Sequence, residues 1–346
     1  GGYPQQHHAV SAWVIHRASV VKAPGYWIED GILPRLLQPF SLAYRAGAAI
    51  RRSTSRPHEL DIPVICVGNL VAGGAGKTPV ALSIASRLIG DGTEVTFLSR
   101  GHGGTIRGPA KVQPSIHSAR DVGDEALLLA ETASTWVARH RAKGATAARA
   151  DGAGLIIMDD GFQNFDLKKT LSLVVIDGAF GFGNKRVHPA GPLREPIETG
   201  LARADGLIMI GEDRTNLAPS LPPAHPLLRA KIVPRENHHL PPSTKVLGFA
   251  GIGRPTKFRE TLEELDLSVI GFEPFPDHHV FTTAEINAIL RRAEADAAIP
   301  VTTAKDHVRL PIPVQALVQR LDITLAWQDE SALAALLNRG LYNGSG

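Results

Sequence analysis

Short unbroken apolar runs alternate along this chain with stretches whose apolar residues recur every three or four positions. The runs at 63–69, 93–98, 155–158, 171–176 and 206–210 read as strands buried on both faces. Between them, 78–88 and 125–140 carry a helical period. Strands that alternate with helices predict an α/β fold on a parallel sheet.

From 217 to 243 the pattern breaks, and Pro219, Pro222, Pro223, Pro226, Pro234, Pro241 and Pro242 crowd the stretch. It reads as an interdomain connection, with 227–233 a strand crossing between domains. Beyond it, strands at 245–250, 268–272 and 300–303 alternate with helices at 255–265 and 284–293, a second and smaller α/β domain over 244–346. The first such domain spans 61–216.

Residues 1–60 behave differently. Arg17, Lys22, Arg35, Arg45, Arg51, Arg52 and Arg56 face only Glu29, Asp30 and Glu59, an excess of +4 in a chain whose net charge is +3. The segment 32–52 is apolar with aromatic and basic punctuation. Such a helix suits a bilayer interface, with apolar residues in the acyl boundary and arginines on anionic headgroups. A helix packed on the protein's own core fits the pattern equally, and Pro34 and Pro39 predict a break in it.

The 346 residues suggest about two domains. With 43% hydrophobic and 21% charged residues the composition is that of a globular protein. The near balance of charge argues against a dedicated nucleic-acid binder. Cys66 is the lone cysteine, which excludes a disulfide framework and a cysteine-rich zinc site. No run is apolar for long enough to span a bilayer, and the opening residues lack the core of a secretory signal, so a cytoplasmic protein is expected.

Candidate chemistry centres on Gly73-Gly74-Ala75-Gly76-Lys77-Thr78, set between a strand and a helix. Glycines there let backbone amides turn around phosphate oxygens. Lys77 would reach the β- and γ-phosphates of a nucleotide and Thr78 would ligate Mg²⁺. The loop departs from the common patterns at Val71 and Ala72. Asp159 and Asp160 end an apolar strand and supply carboxylates for the metal. No Asn-Lys-x-Asp signature for guanine is present.

These motifs do not stand alone. Leu98-Ser99-Arg100-Gly101, Gly123-Asp124-Glu125, Asp159-Asp160-Gly161-Phe162-Gln163, the stretch from Pro189 through Gly191, Arg194 and Glu195 to Pro196, Asp277-His278-His279 and Thr302-Thr303-Ala304-Lys305-Asp306 follow in order. Together with the phosphate loop, over about residues 22–310, the chain resembles the tetraacyldisaccharide 4′-kinase family. The resemblance implies a phosphate-loop kinase that moves the γ-phosphate of ATP, with Mg²⁺, to the 4′-hydroxyl of a tetraacyldisaccharide 1-phosphate. The product would be lipid IVA, in lipid A biosynthesis at the cytoplasmic face of the bacterial inner membrane. It further implies an N-terminal membrane-contact helix, a cleft site between two domains, and Asp124 as catalytic base paired with His278. Arg100 and Arg194 become candidates for phosphate or sugar, and Glu125, Gln163 and Glu195 further cleft candidates. A monomer is expected.

Simpler roles stand beside these: Asp124 as the cap of the helix after it, Asp277 and His278 as turn or cap residues before the helix start at 282–284. The family commonly carries His where this chain has Asn164, and Pro where it has Ala126. Two other functions compete: a membrane-associated nucleotide switch with no acceptor substrate, and a GTPase metallochaperone suggested by the pairs His7-His8, His238-His239 and His278-His279.

Overall fold

A computed structural model describes residues 24–235 and 240–342. Arg17, Lys22, His7-His8 and His238-His239 lie outside them. Nine strands form the larger sheet: β1 (Val64–Gly68), β2 (Val95–Ser99), β3 (Ala110–Lys111), β4 (Ser134–Val137), β5 (Leu155–Asp159), β6 (Leu171–Asp177), β7 (Gly206–Ile210), β8 (Leu227–Pro234) and, from the end of the chain, β13 (Ile323–Trp327), in the order β13-β8-β7-β6-β1-β5-β2-β4-β3. All neighbours are parallel except the two edge strands, β13 and β3. The central strands β1, β2, β5, β6 and β7 are buried along their whole length, which is why each reads as a continuous apolar run.

β1 lies between β5 and β6, where the strand order reverses. Open α/β sheets place ligands outside the carboxyl ends of the strands at such a point. The Lys77–Gly90 helix leaves β1 there and buries Val80, Ala81, Ile84, Ala85 and Leu88 at three- and four-residue spacing. The smaller sheet is wholly parallel, with β9 (Lys245–Ala250), β10 (Ser268–Pro274), β11 (Ile299–Thr303) and β12 (Gln319–Leu321) in the order β10-β9-β11-β12 and apolar clusters on both faces.

Three expectations need correction. The helix expected over 125–140 is a helix over Asp124–Ala130 followed by β4; the amides of Thr132 and Ala133 both close on the Leu129 carbonyl, which ends it. The connection at 217–243 contains β8, which pairs with β7 in the larger sheet rather than crossing between domains. The last elements of the chain do not belong with the smaller domain. β13 pairs antiparallel with β8, and the Glu330–Tyr342 helix packs Leu333, Leu336 and Leu337 into the larger core.

The N-terminal helix also differs. It runs unbroken over Ile32–Thr54. Pro34 lies in its first turn, where amides have no intrahelical partner, and Pro39 removes a single bond from a long ladder. One face docks on the body: the Ser41 hydroxyl donates to the Val187 carbonyl (2.7 Å) and accepts from the Ala190 amide, while Arg186 holds Asp30 through two bonds and Gln38 through a third. The opposite face leaves Ile32, Leu36, Phe40 and Ile50 exposed. Among the described residues no helix is long and apolar enough to cross a membrane.

Candidate active site

The loop after β1 takes the shape its glycines permit. Gly73 and Gly76 have φ of +119° and +87°, and Gly76 caps the following helix in the left-handed conformation. The Lys77 ammonium turns back onto the loop, donating to the Gly73 carbonyl (3.3 Å) and lying 3.8 Å from Asp160. Gly74 lies open and Ala75 is buried beneath it.

At the end of β5 the two aspartates have separate surroundings. Asp159 is buried; Oδ2 accepts from the Thr78 hydroxyl (2.9 Å), and Oδ1 has no hydrogen-bond partner. Burial, then the charge of Glu125, pushes its carboxyl up to about 7. A buried, orphaned carboxylate oxygen beside a phosphate loop fits a cation. Mg²⁺ is commonly held by one or two carboxylates together with phosphate oxygens, and Thr78, Asp159 and Asp160 fit that need. Asp160, at φ +52°, meets Arg194 through two bonds (2.7 and 3.2 Å). Burial raises its carboxyl, but Lys77 and Arg194 outweigh burial and hold it below the usual range.

The remaining predicted residues divide. Gln163 bridges the Asn69 carbonyl (2.9 Å), Glu195 (3.1 Å) and Arg194 (3.2 Å). Glu195 is buried and paired with Arg203, whose guanidinium lies over the rings of Phe162 and Phe165. These two therefore brace Arg194 and the loop. Arg100 is exposed beyond β2. Sequence reasoning missed its neighbour Arg141, a buried guanidinium that burial and then Arg100 push down to about 10.

Asp124 and His278 come together across the domains. Asp124 is the first residue of its helix, with Gly123 as the cap, and is 4% exposed. His278, at φ +58°, brings Nδ1 to 3.0 Å from Asp124 Oδ2. Thr282, not Asp277 or His278, caps the Thr283–Ala295 helix. Lys305 reaches Glu125 (3.3 Å), His278 Nε2 (3.3 Å) and Asp277 (3.8 Å). Arg309, also missed, donates to Asp124 Oδ2 through Nε at 2.8 Å and through Nη2. A signal for it was present, since Asp306 and Arg309 stand one helical turn apart.

The family model for tetraacyldisaccharide-1-P 4′-kinase matches residues 33–342. The chain belongs to this family. It is 50% identical over 323 residues to the tetraacyldisaccharide 4′-kinase of Rhodospirillum centenum, covering 92% of this chain and 96% of that one. The enzyme of the same name from Paramagnetospirillum magneticum is also 50% identical, with 92% and 98% covered. Among solved structures, LpxK from Aquifex aeolicus, described as an "apo" form in complex with ATP, superposes with a TM-score of 0.72 at 28% identity. That match covers 90% of this chain and all of the other. The expected family, kinase activity and α/β architecture hold, and these matches do not favour a nucleotide switch or a GTPase.

Proposed function

We infer that this chain transfers the γ-phosphate of ATP to the 4′-hydroxyl of a tetraacyldisaccharide 1-phosphate. The observation that carries the reading is the meeting, in a member of this family, of a phosphate loop from one domain with an Asp–His pair built across both. A loose phosphoryl group needs positioning and charge neutralisation. The amides of 73–76 would cradle the phosphates, and Lys77 would exchange the Gly73 carbonyl and Asp160 for them. Mg²⁺ held by Thr78, Asp159 and Asp160 would add its charge to this neutralisation. Arg194 and Arg100 offer planar donors for phosphate or sugar oxygens. The Asp124–His278 pair assists deprotonation of the hydroxyl, a weak nucleophile until its proton is taken.

The acceptor is a lipid, and the Ile32–Thr54 helix offers a surface to meet it. Its exposed apolar face, with Arg51 at its edge and Arg45 and Arg52 exposed elsewhere on the same helix, suits the interface of an anionic bilayer. We place the protein at the cytoplasmic face of the inner membrane, where its nucleotide is available.

Transfer of label from γ-labelled ATP to a tetraacylated disaccharide 1-phosphate in detergent micelles tests the reading, with Mg²⁺ and a metal-free control. Label should enter the lipid. Lys77→Ala should lower transfer by at least about a hundredfold with the fold intact. Full activity in that variant overturns the loop assignment. ATP hydrolysis without labelled lipid, beside an active control enzyme, overturns the kinase reading in favour of a switch.

A further inference from the structure

Of the 23 residues in the Ile32–Thr54 helix, two are buried, Pro34 and Ser41. A serine within a helix commonly turns its hydroxyl back to the carbonyl four residues earlier. Here the Leu37 carbonyl lies 3.5 Å from Ser41 Oγ, whereas the Val187 carbonyl lies at 2.7 Å. A hydroxyl has one proton, and it goes to Val187. The same oxygen accepts from the Ala190 amide at 3.2 Å. The helix so grips the outer limb of a loop over 184–194. Its neighbours add to the grip: Arg186 reaches Asp30 and Gln38, Asn184 Nδ2 donates to the Tyr26 carbonyl (2.8 Å), and the ring of Tyr44 meets that of His188 edge-on at 5.6 Å.

The inner limb of the loop returns to the nucleotide side. The His188 amide donates to the Leu193 carbonyl (2.8 Å) and the Leu193 amide to the Arg186 carbonyl (3.0 Å), which ties the two limbs together. Beyond that tie, the Ala72 amide donates to the Pro192 carbonyl and the Arg194 amide to the Leu70 carbonyl, both at 2.8 Å. Residues 70–72 lead from β1 into the phosphate loop. Arg194 leaves this limb and holds Asp160 through two bonds and Gln163 through a third. An unbroken path of peptide and hydrogen bonds thus joins the middle of the helix to the carboxylates at the end of β5, from Ser41 through Val187, Leu193 and Arg194 to Asp160.

We propose that Ser41 is a positioning residue of the transfer reaction: its hydroxyl fixes the 184–194 loop, and through it the reach of the Arg194 guanidinium towards the transferring phosphate. The proposal rests on the kinase reading above. A guanidinium aimed at charge that develops in the transition state is effective when its place is set beforehand. Arg194 stands on a loop, outside every helix and strand. Its fixed points are Asp160 and Gln163 at the tip and, at the backbone, the limb that Ser41 pins. The helix therefore has two faces with separate tasks. One meets the bilayer; the docked one serves the chemistry even where no bilayer is present. Without the hydroxyl, the Val187 carbonyl and the amide of fully buried Ala190 lose that partner, and the loop must shift to find others.

The test uses the full chain with Ser41→Thr and Ser41→Val, which match in shape and differ in the hydroxyl. Acceptor is dispersed in detergent, so that partition onto a membrane does not enter. The valine variant should show a kcat about 5–20-fold below the threonine variant, with the KM for ATP within about threefold. Repeating the pair in an Arg194→Gln background decides what the hydroxyl acts through. The difference should shrink to less than about twofold there, because the group it places is gone. A role confined to folding predicts an undiminished difference. That result, or equal kcat in the original pair, overturns the proposal. Hydrogen exchange needs no substrate: the Leu193 and Arg194 amides should exchange at least about tenfold faster with valine than with threonine, and equal rates overturn the proposal as well. Should the branched side chains prevent folding, Ser41→Ala against the parent gives the same comparison. Absence of transfer by the parent to an authentic acceptor, beside an active control enzyme, defeats the kinase reading instead, and leaves the exchange rates readable.

Discussion

Leu36 and Phe40 are 67% and 64% exposed on the face of the Ile32–Thr54 helix turned away from the body. Wholly burying a side chain of this kind contributes about 2 kcal/mol, so covering the exposed two-thirds of both contributes about 2.6 kcal/mol. Leu36→Gln with Phe40→Gln removes that term and leaves every charge in place. Partition onto vesicles containing anionic lipid should therefore fall by about 80-fold. Sedimentation of sucrose-loaded vesicles measures it directly. The docked face, with Ser41 on the Val187 carbonyl, is untouched, so the thermal midpoint should stay within about 2 °C. Transfer to acceptor presented in vesicles should drop with partition, while transfer to detergent-dispersed acceptor should hold. Partition within about threefold of the parent, with an unchanged midpoint, would refute the assignment of this face to the bilayer.

Two further outcomes follow from the site. Asp159 is raised to about 7, so between the usual carboxylate range and that value the folded chain binds the extra proton. Its contribution then weakens folding as pH rises towards about 7, by up to about 1.4 kcal/mol per pH unit without metal. Denaturant titrations from about pH 5 to 8 should show that slope flattened in Asp159→Asn, and an identical slope would remove Asp159 as its source. By the same linkage, Mg²⁺–ATP binding below about pH 7 should release a proton, seen as a buffer-dependent binding enthalpy. Gly68→Ala should lower stability by about 1–3 kcal/mol in urea, because its Cβ would lie 2.5 Å from that of buried Phe162. An unchanged midpoint would show that β1 and the Asp160–Phe162 turn separate freely.

Most of the parallel core was legible because strands buried on both faces leave a local mark, as at 155–158 and 206–210. The error at 125–140 arose because Leu127, Leu129 and Ala130 continue into Thr135, Trp136 and Val137 without glycine or proline to mark the turn. The return of β13 to β8 has no local mark at all, since its partner lies some ninety residues back along the chain. The phosphate loop was legible because the residues that would grip a phosphate are contiguous. Of Arg309 only the spacing from Asp306 was legible, because its place in the site comes from Asp124, 185 positions away. Glu195 shows the reverse: a motif residue taken up by Arg203, whose ring-stacked position no spacing announces.

The path of the chain also changes what a deletion means. The Arg235 amide donates to the Asp322 carbonyl (2.9 Å), so the strand that leaves the larger domain and the one that re-enters it run side by side. The smaller domain is an insert, its two ends adjacent. Shortening the chain from its C terminus would first strip the Glu330–Tyr342 helix and the edge strand from the nucleotide-binding half, and reach the smaller domain only afterwards. A domain map drawn from truncations would assign the two halves the wrong way round, whereas an internal excision joining 234 to 323 follows the molecule's own seam.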